Sequence, residues 1–497
     1  MLDALPRLPE ACQLVLDHKY FAIHAARQSG KTTLLMSLVD RLNALDDYCA
    51  VYCSLEAVQG YSNPKKGLHM IIDIINNDFS KMDYINSFTR QPHGDDATGI
   101  RDALSNIAKS IDRKLVIFFD EADCLSCETL ISFLRQLRNG YIYRKQIPFP
   151  WSIALVGMRD IRDYKAHIRP DSDTLGSASP FNIITESLTL RNFTGEQIKE
   201  LYFQHTTCTG QIFEDAAIDR AYYWSEGQPW LVNALAHQII EKDLRRDYTQ
   251  IITSSHFDAA AESIILRRDI HIDSLLDRLK EARVQRIIEP IIYGGDISFD
   301  MLSDDVQFCL NIGLVAGESL KDLHIANPIY NEVITRTLTY IAQEKLPESL
   351  INRWMDGESI DISALLKEFQ KFWRENSEIW IEKFQYKEAA PHLILYAYLQ
   401  RVVNGGGRIR RDAALGTGRA DICVSYAGKK YPIELKLAGT QPISESLEQV
   451  NKYMERCGSA VGWLGIFDRS KTKPWSKKIY WKTKKIAGDK VVHIFGC

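Results

Sequence analysis

Residues 20–33 read Tyr20-Phe21-Ala22-Ile23-His24-Ala25-Ala26-Arg27-Gln28-Ser29-Gly30-Lys31-Thr32-Thr33, and this stretch decides the fold of the first part of the chain. Tyr20 to His24 reads as a short buried strand, and Leu34, Leu35, Leu38 and Leu42 then recur at helical spacing. Strand, tight turn and helix together aim successive backbone N–H groups and the positive helix end at one point, which suits a phosphate. Gln28, Ser29, Gly30, Lys31, Thr32 and Thr33 are therefore the candidate phosphate-binding residues. Lys31 supplies a point charge for the β/γ-phosphates, and the Thr32 hydroxyl can ligate Mg²⁺. Ala25 stands where the pattern G-x-x-x-x-G-K-[ST] has its first glycine, so the loop must turn there without a positive φ.

Working outward, Leu115-Val116-Ile117-Phe118-Phe119 is an apolar run expected of a central parallel strand covered on both faces. It ends in Asp120-Glu121-Ala122-Asp123. An acid at that strand end can hold Mg²⁺ (Asp120), and the next carboxylate can polarise an attacking water (Glu121). The ordered pair predicts a P-loop ATPase core with ATP and Mg²⁺ as cofactors. A third apolar run, Ser152 to Val156, leads through Gly157 and Met158 to Arg159, placed to sense a γ-phosphate or to pair with Asp160 or Asp163. Glu226-Gly227-Gln228-Pro229-Trp230 opens an apolar helix, with Pro229 at its first turn. Lys31, Asp120-Glu121, Arg159 and the Gly227-x-Pro229 turn together resemble the AAA+-related STAND ATPases and the archaeal-type ATPases. The resemblance implies that Arg159 reads the γ-phosphate and that Pro229 packs near adenine from a helical lid. Arg135 and Arg138, three apart on the helix after the second motif, face solvent or reach a neighbouring subunit's nucleotide.

The bulk numbers agree with a multidomain chain. A chain of 497 residues, 45% hydrophobic and 25% charged, is too long for one core and suggests roughly three or four domains. No apolar run approaches the roughly 20 residues needed to span a bilayer. With ten scattered cysteines and no signal-peptide pattern, this predicts a cytoplasmic protein without a membrane partner. The net charge of −3 hides an asymmetry. Residues 401–497 hold 19 Lys+Arg against 8 Asp+Glu, a net of +11, while the first 400 residues carry −14. A basic end on an acidic body fits either a nucleic-acid-contacting module or a solvated basic face.

The second half of the chain carries a different constellation. Residues 281–345 read as helix, helix and short ribbon, which resembles a winged-helix module. Asp304 and Asp305 open its second helix and repel phosphate, favouring a spacer or contact role over DNA reading. Farther on, an apolar helix over 386–403 has Glu388 near its start. A hairpin follows, Asp421 to Tyr426 returning as Tyr431 to Leu437. Alternation puts Glu434 and Lys436 on one face, and Ile433, Leu435 and Leu437 on the other. Asp421 and Glu434 can hold Mg²⁺ as a hard cation, and Lys436 beside it can orient water and stabilise a pentacovalent phosphate.

Arg419-Ala420-Asp421 followed by Ile433-Glu434-Leu435-Lys436 resembles the PD-(D/E)XK nuclease superfamily, with Ala420 in place of the signature proline. The resemblance covers about residues 380–497 and implies catalytic roles for Asp421, Glu434 and Lys436, joined by Glu388 and by Gln449 on the next helix, beside Tyr453. Arg408, Arg410 and Arg411 would contact the substrate. Eight basic residues from Arg469 to Lys485 interleave with Trp475, Tyr480 and Trp481, as a stacking surface for bases or as core of a terminal strand.

The expectation for the whole is an α/β multidomain chain. Its segments are a parallel-sheet P-loop ATPase core (1–190), a helical lid (191–275), a winged helix (276–345), a helical linker (346–379) and an α/β restriction-endonuclease-like domain (380–497). The function implied by the resemblance is an ATP-regulated, Mg²⁺-dependent DNA endonuclease, acting as a homo-oligomer in defence against, or mobility of, foreign DNA. A signalling scaffold that binds DNA without cutting, or a DNA-translocating motor, is the rival reading.

Overall fold

The computed structural model describes residues 2–82, 89–158, 183–267, 276–293, 300–320, 322–345, 359–383, 390–403, 407–410, 422–439, 441–468, 470, 472–486 and 490–497. They divide into two compact units, Met1–Ala261 with Leu310–Gly313, and Glu262–Cys309 with Leu314–Cys497.

The first unit begins with a 3-10 turn, Leu5–Arg7, and helix α1 (Pro9–Leu16). Then follow β1 (Tyr20–His24), α2 (Lys31–Asn43), β2 (Tyr48–Ser54), α3 (Pro64–Phe79), α4 (Gly99–Ser110), β3 (Lys114–Asp120), α5 (Cys127–Tyr143), β4 (Ser152–Gly157) and β5 (Ile184–Thr189). The five strands form a parallel sheet in the order β2-β3-β4-β1-β5. Period-two alternation divides the core into two layers. Val116, Phe118, Phe21, Ile23, Ala154 and Val156 pack with Leu34, Leu35 and Leu38 of α2 and with α1. Ile117, Phe119, Tyr20, Ala22, Ile153 and Leu155 pack on the other face with α3, α4 and α5. The expected parallel-sheet core is thus present, and both motif strands end on the same edge of the sheet.

Helices α6 (Gly195–Thr209), α7 (Asp215–Ser225) and α8 (Pro229–His237) follow, then α9 (Ser254–Arg267). Their ends are written in the local sequence. Thr194 and Gln197 close a reciprocal capping box on α6, and Gly210 ends it at φ 79°. Such a cap contributes about 1 kcal/mol. Gln228 caps α8 by accepting from Leu231 N, with Pro229 at the first helical position.

The second unit starts within α9. Helices α10 (Ala282–Tyr293) and α11 (Asp304–Asn311) precede an antiparallel ribbon of β6 (Val315–Ala316) and β7 (His324–Ile325), then α12 (Pro328–Lys345). Asp305 is not left facing outward as bare charge: Arg286 lies 2.6 Å and Arg283 3.6 Å from it.

Then come α13 (Ile362–Lys383), α14 (Ala390–Val403), β8 (Gly407–Arg410), β9 (Ile422–Tyr426), β10 (Lys429–Leu437), α15 (Ile443–Cys457), β11 (Val461–Phe467), α16 (Trp475–Lys478), β12 (Tyr480–Lys485) and β13 (Val491–Gly496). The strands make a six-stranded mixed sheet, β12-β13-β11-β10-β9-β8. The hairpin turn is tighter than the four residues expected: Ala427 and Gly428, at φ 45° and 77°, make the whole connection.

The stretch 346–379, expected as a helical linker, contributes α13, which runs past that boundary to Lys383 and lies against the terminal sheet. Its aromatic face is the reason. Phe369 and Trp373 meet Phe467 at 6.2 and 5.2 Å between ring centroids. Gln370 Nε2 donates to the carbonyls of Gly496 and Tyr480 at 2.7 and 3.0 Å.

Candidate functional site

The phosphate-loop candidates and the Asp120–Glu121 pair lie at the carboxyl ends of β1 and β3, where open α/β sheets bind ligands. Ala25 N donates to Gly157 O at 3.2 Å, so β1 stays on the β4 ladder one residue beyond its end. Left-handed φ values fall instead at Gln28 (56°) and Gly30 (88°). This answers the missing first glycine: the turn is made three residues later than the glycine pattern anticipates.

Lys31 is 7% exposed, and its Nζ donates to Ala25 O at 2.9 Å and Ala26 O at 3.1 Å. Burial lowers its pKa, opposed by the carboxylates of Glu121, Asp120 and Asp123. The hydroxyl of Ser29, buried in the loop, has no hydrogen-bond partner among the described residues.

Asp120, the buried last residue of β3, accepts from Thr32 Oγ1 at 3.0 Å and Tyr52 OH at 3.1 Å on one oxygen, and from Glu121 N at 2.9 Å on the other. A hydroxyl and a carboxylate this close are a hard-oxygen pair suited to Mg²⁺, whose remaining ligands are ordinarily water and phosphate. Among the described residues no group of three or more His, Cys, Asp or Glu could hold a metal.

Glu121 sits at φ 55°, ψ 37°, a left-handed conformation that a non-glycine residue adopts at a cost of order 1 kcal/mol. Burial raises its carboxyl pKa above the ordinary value; Asp123 adds to this and Lys31 opposes it. Asp123 Oδ2 accepts from Met158 N at 3.2 Å. A Cβ on Gly157 would stand 2.8 Å from Asp123 Oδ1, so glycine permits this approach. The ends of β3 and β4 are thereby joined immediately before Arg159, which lies outside the described residues.

Sequence reasoning missed Tyr52, whose phenol is pushed up to about 12 by burial and then by Asp120. Its signal was available in the run Tyr48–Ser54, an apolar strand turning polar at its carboxyl end, where ligands bind. It also missed Arg7, for which the sequence offers no pattern. Arg135 is exposed and Arg138 half-buried on α5.

In the second unit, Lys436 Nζ lies 2.7 Å from Glu434 Oε1, with Glu434 only 1% exposed. Glu434 pairs in register with Leu464, and Lys436 with Ile466. Leu464 and Ile466 pack beneath α15, so the ion pair sits on the face that α15 covers. Gln449 is on α15, its Oε1 accepting from Gln441 Nε2 at 3.1 Å. Tyr453 is buried on the same helix. Ile433 and Leu435 belong to the opposite face with Trp463, whose Nε1 donates to Ser363 Oγ of α13 at 3.0 Å. Glu388, Asp421 and Arg411 lie outside the described residues. Arg408 and Arg410 fall on β8, and Trp481 is taken up by packing on Phe495 and His493 at 5.9 and 5.6 Å.

Among the described residues no helix is long and apolar enough to cross a membrane. Comparison with curated proteins finds no match. Among solved structures, a Walker-type ATPase of Pyrococcus abyssi is 14% identical, covering 67% of this chain and 94% of its own, with a TM-score of 0.46. The Aeropyrum pernix ORC1 protein in complex with DNA is 10% identical, over 69% and 95%, with a TM-score of 0.37. The Thermotoga maritima RuvB Holliday junction branch migration motor is 14% identical, over 66% and 93%, with a TM-score of 0.35. The AAA domain family matches residues 17–164, the segment that holds both nucleotide motifs. Sheet, motifs and family match agree: the chain carries an AAA-type P-loop ATPase domain.

Proposed function

We propose that this ATPase domain regulates an Mg²⁺-dependent DNA endonuclease housed in residues 380–497, with α13 as part of the same domain. The observation that carries the reading is the Glu434–Lys436 pair, two residues apart on β10 and 2.7 Å from each other beneath α15. A lysine that touches a buried carboxylate can hold water beside a cation bound there, and can neutralise a phosphate in the transition state. Asp421 is assigned as the second metal ligand, and Glu388 and Gln449 as supporting groups. Exposed Lys484 and Lys485 on the edge strand β12 supply sequence-independent contacts to phosphates. In the ATPase domain, Lys31 and Gln28–Thr33 hold ATP, Thr32 and Asp120 its Mg²⁺, and Glu121 polarises the attacking water. Arg159 senses the γ-phosphate and Pro229 closes the adenine side. The residues 276–345 act as a winged helix in a spacer or contact role, and the chain works as a homo-oligomer in the cytoplasm. Defence against foreign DNA, or its mobility, is the setting the resemblance implies.

A second reading has its own observation. Lys436 already neutralises Glu434, so the pair also suits a module that binds DNA without cutting it. Plasmid incubated with Mg²⁺ and wild type, Asp421→Ala or Lys436→Ala separates the two. Cleavage by wild type alone is expected, and equal cleavage by all three proteins would remove the assignment. ATP turnover strongly stimulated by DNA would favour a translocating motor instead.

A further inference from the structure

Arg7 lies in the short turn ahead of α1, outside both nucleotide motifs, yet it is 4% exposed. Its guanidinium donates from Nη2 to Ser29 O at 2.7 Å, inside the phosphate loop. From Nε it donates to Arg191 O at 2.8 Å, where the chain leaves β5 for α6. The same group stands 4.8 Å over the Phe193 ring. Its remaining nitrogen Nη1 lies against Gly30, where a Cβ would stand 3.0 Å away. Arg191 answers with an ion pair to Glu10 of α1 at 2.7 Å.

The contacts continue into the lid. Phe193 N donates to Gly227 O at 2.8 Å, and a Cβ on Gly227 would fall 1.9 Å from Phe193 O. Only glycine fits there. Gln228 follows at once and caps α8. A continuous path of hydrogen bonds and packing therefore runs from the Ser29 carbonyl through Arg7, Arg191 and Phe193 to the start of α8. A planar guanidinium suits this task because its fork can hold two acceptors while its face stacks on a ring.

We propose that Arg7 is a positioning residue that couples the phosphate loop to the helical lid, so that phosphates drawn onto the loop amides alter the seating of α8. The inference rests on the nucleotide-binding reading of the loop. Phosphate oxygens recruit the N–H groups of residues 28–33, and reorienting those peptides moves the Ser29 carbonyl that Arg7 holds. Arg7 then transmits the change to the 191–193 segment, whose backbone is fixed to Gly227.

The test is amide hydrogen exchange on the full chain with and without MgATP, read at Lys31–Leu35 and at Leu231–Leu235. In wild type, MgATP slows exchange in both segments. In Arg7→Met, the slowing at Lys31–Leu35 persists while that at Leu231–Leu235 is lost. ATP affinity falls about 10-fold, within the roughly 5–150-fold span of ordinary coupling energies. Arg7→Lys, which keeps the charge but lacks the fork, remains uncoupled. A full lid response in Arg7→Met or in Arg7→Lys would overturn the proposal. Should Arg7→Met fail to fold, Phe193→Leu decides: it leaves both carbonyl bonds available and must still weaken the lid response, and an unchanged response there would overturn it too. If wild type shows no MgATP effect at Lys31–Leu35, or Lys31→Ala shows the same one, the nucleotide reading itself falls, and this inference with it.

Discussion

The two sheets of this protein handle buried charge in opposite ways. In the ATPase domain, Asp120, Glu121 and Asp123 stand at or beyond the carboxyl end of β3, where backbone N–H groups and neighbouring hydroxyls are free to bond them. In the terminal domain, Glu434 and Lys436 lie within β10 under a helix, and each is the other's ion partner at 2.7 Å. Charge at a strand end can be solvated by the loop and by an incoming ligand. Charge inside a strand must be neutralised within the fold. Changes in the first site should therefore strike chemistry with little loss of stability, and changes in the second should strike both.

The largest expected effect tests the first half of that contrast. Lys31→Ala removes the cation held over the loop by Ala25 and Ala26. ATP binding, followed with a fluorescent analogue, should be abolished while the melting temperature stays near wild type. Retained affinity would break the assignment. Next, Glu121→Gln should bind ATP normally but hydrolyse it about 10²–10⁴-fold more slowly, the usual range for a general base. A base acts when deprotonated. Because burial and Asp123 raise the Glu121 pKa in the ligand-free enzyme, the acid limb of the kcat/KM profile should lie above the ordinary carboxylate value, and Glu121→Gln should flatten it.

The contrast also explains which features are legible in the sequence. Strand–turn–helix spacing made Lys31 and Thr32 legible, because a phosphate loop is contiguous in sequence. The Asp120 terminus was legible because a buried parallel strand is a solid apolar run. Period-two alternation placed Glu434 and Lys436 on one face. Tyr52 and Arg7 act across 68 and 22 residues of sequence, on Asp120 and Ser29 respectively; the strand that carries Tyr52 is visible in the run Tyr48–Ser54, but no local periodicity encodes either pairing. The surface that helix α13 packs against is not legible within the 346–379 stretch for the same reason. The helix's amphipathic face was visible in the sequence, while the sheet that buries it lies about 100 residues onward.

A smaller effect probes the second half. Lys436→Ala leaves the Glu434 carboxylate buried without its ammonium, a loss that typically costs about 3–5 kcal/mol. Denaturant unfolding of the full chain should show it in the transition belonging to the second unit. The double variant Glu434→Gln with Lys436→Met removes both charges together and should recover much of that stability, since neither side chain then buries a charge. Cleavage of plasmid should be lost in both. If Lys436→Ala is as stable as wild type, the pair is solvated and the contrast between the two sheets fails there.

The smallest effect lies in the hydroxyl of Tyr52. Asp120 Oδ2 takes hydrogen bonds from both Thr32 and Tyr52, and in the proposed nucleotide complex Thr32 turns its oxygen to Mg²⁺. Tyr52 then remains the only one of the two still donating to that carboxylate oxygen. Tyr52→Phe deletes this single bond in a partly buried site, a change of about 1 kcal/mol and so roughly a 5-fold effect. Because the bond orients the proposed Mg²⁺ ligand Asp120 and touches no phosphate, the change should appear in the Mg²⁺ concentration needed for half-maximal turnover. ATP affinity measured without metal should stay the same. A variant with unaltered Mg²⁺ dependence would place Tyr52 in the packing of β2 alone. A shift confined to Mg²⁺ would show that the strand-end site is tuned by its neighbouring strand.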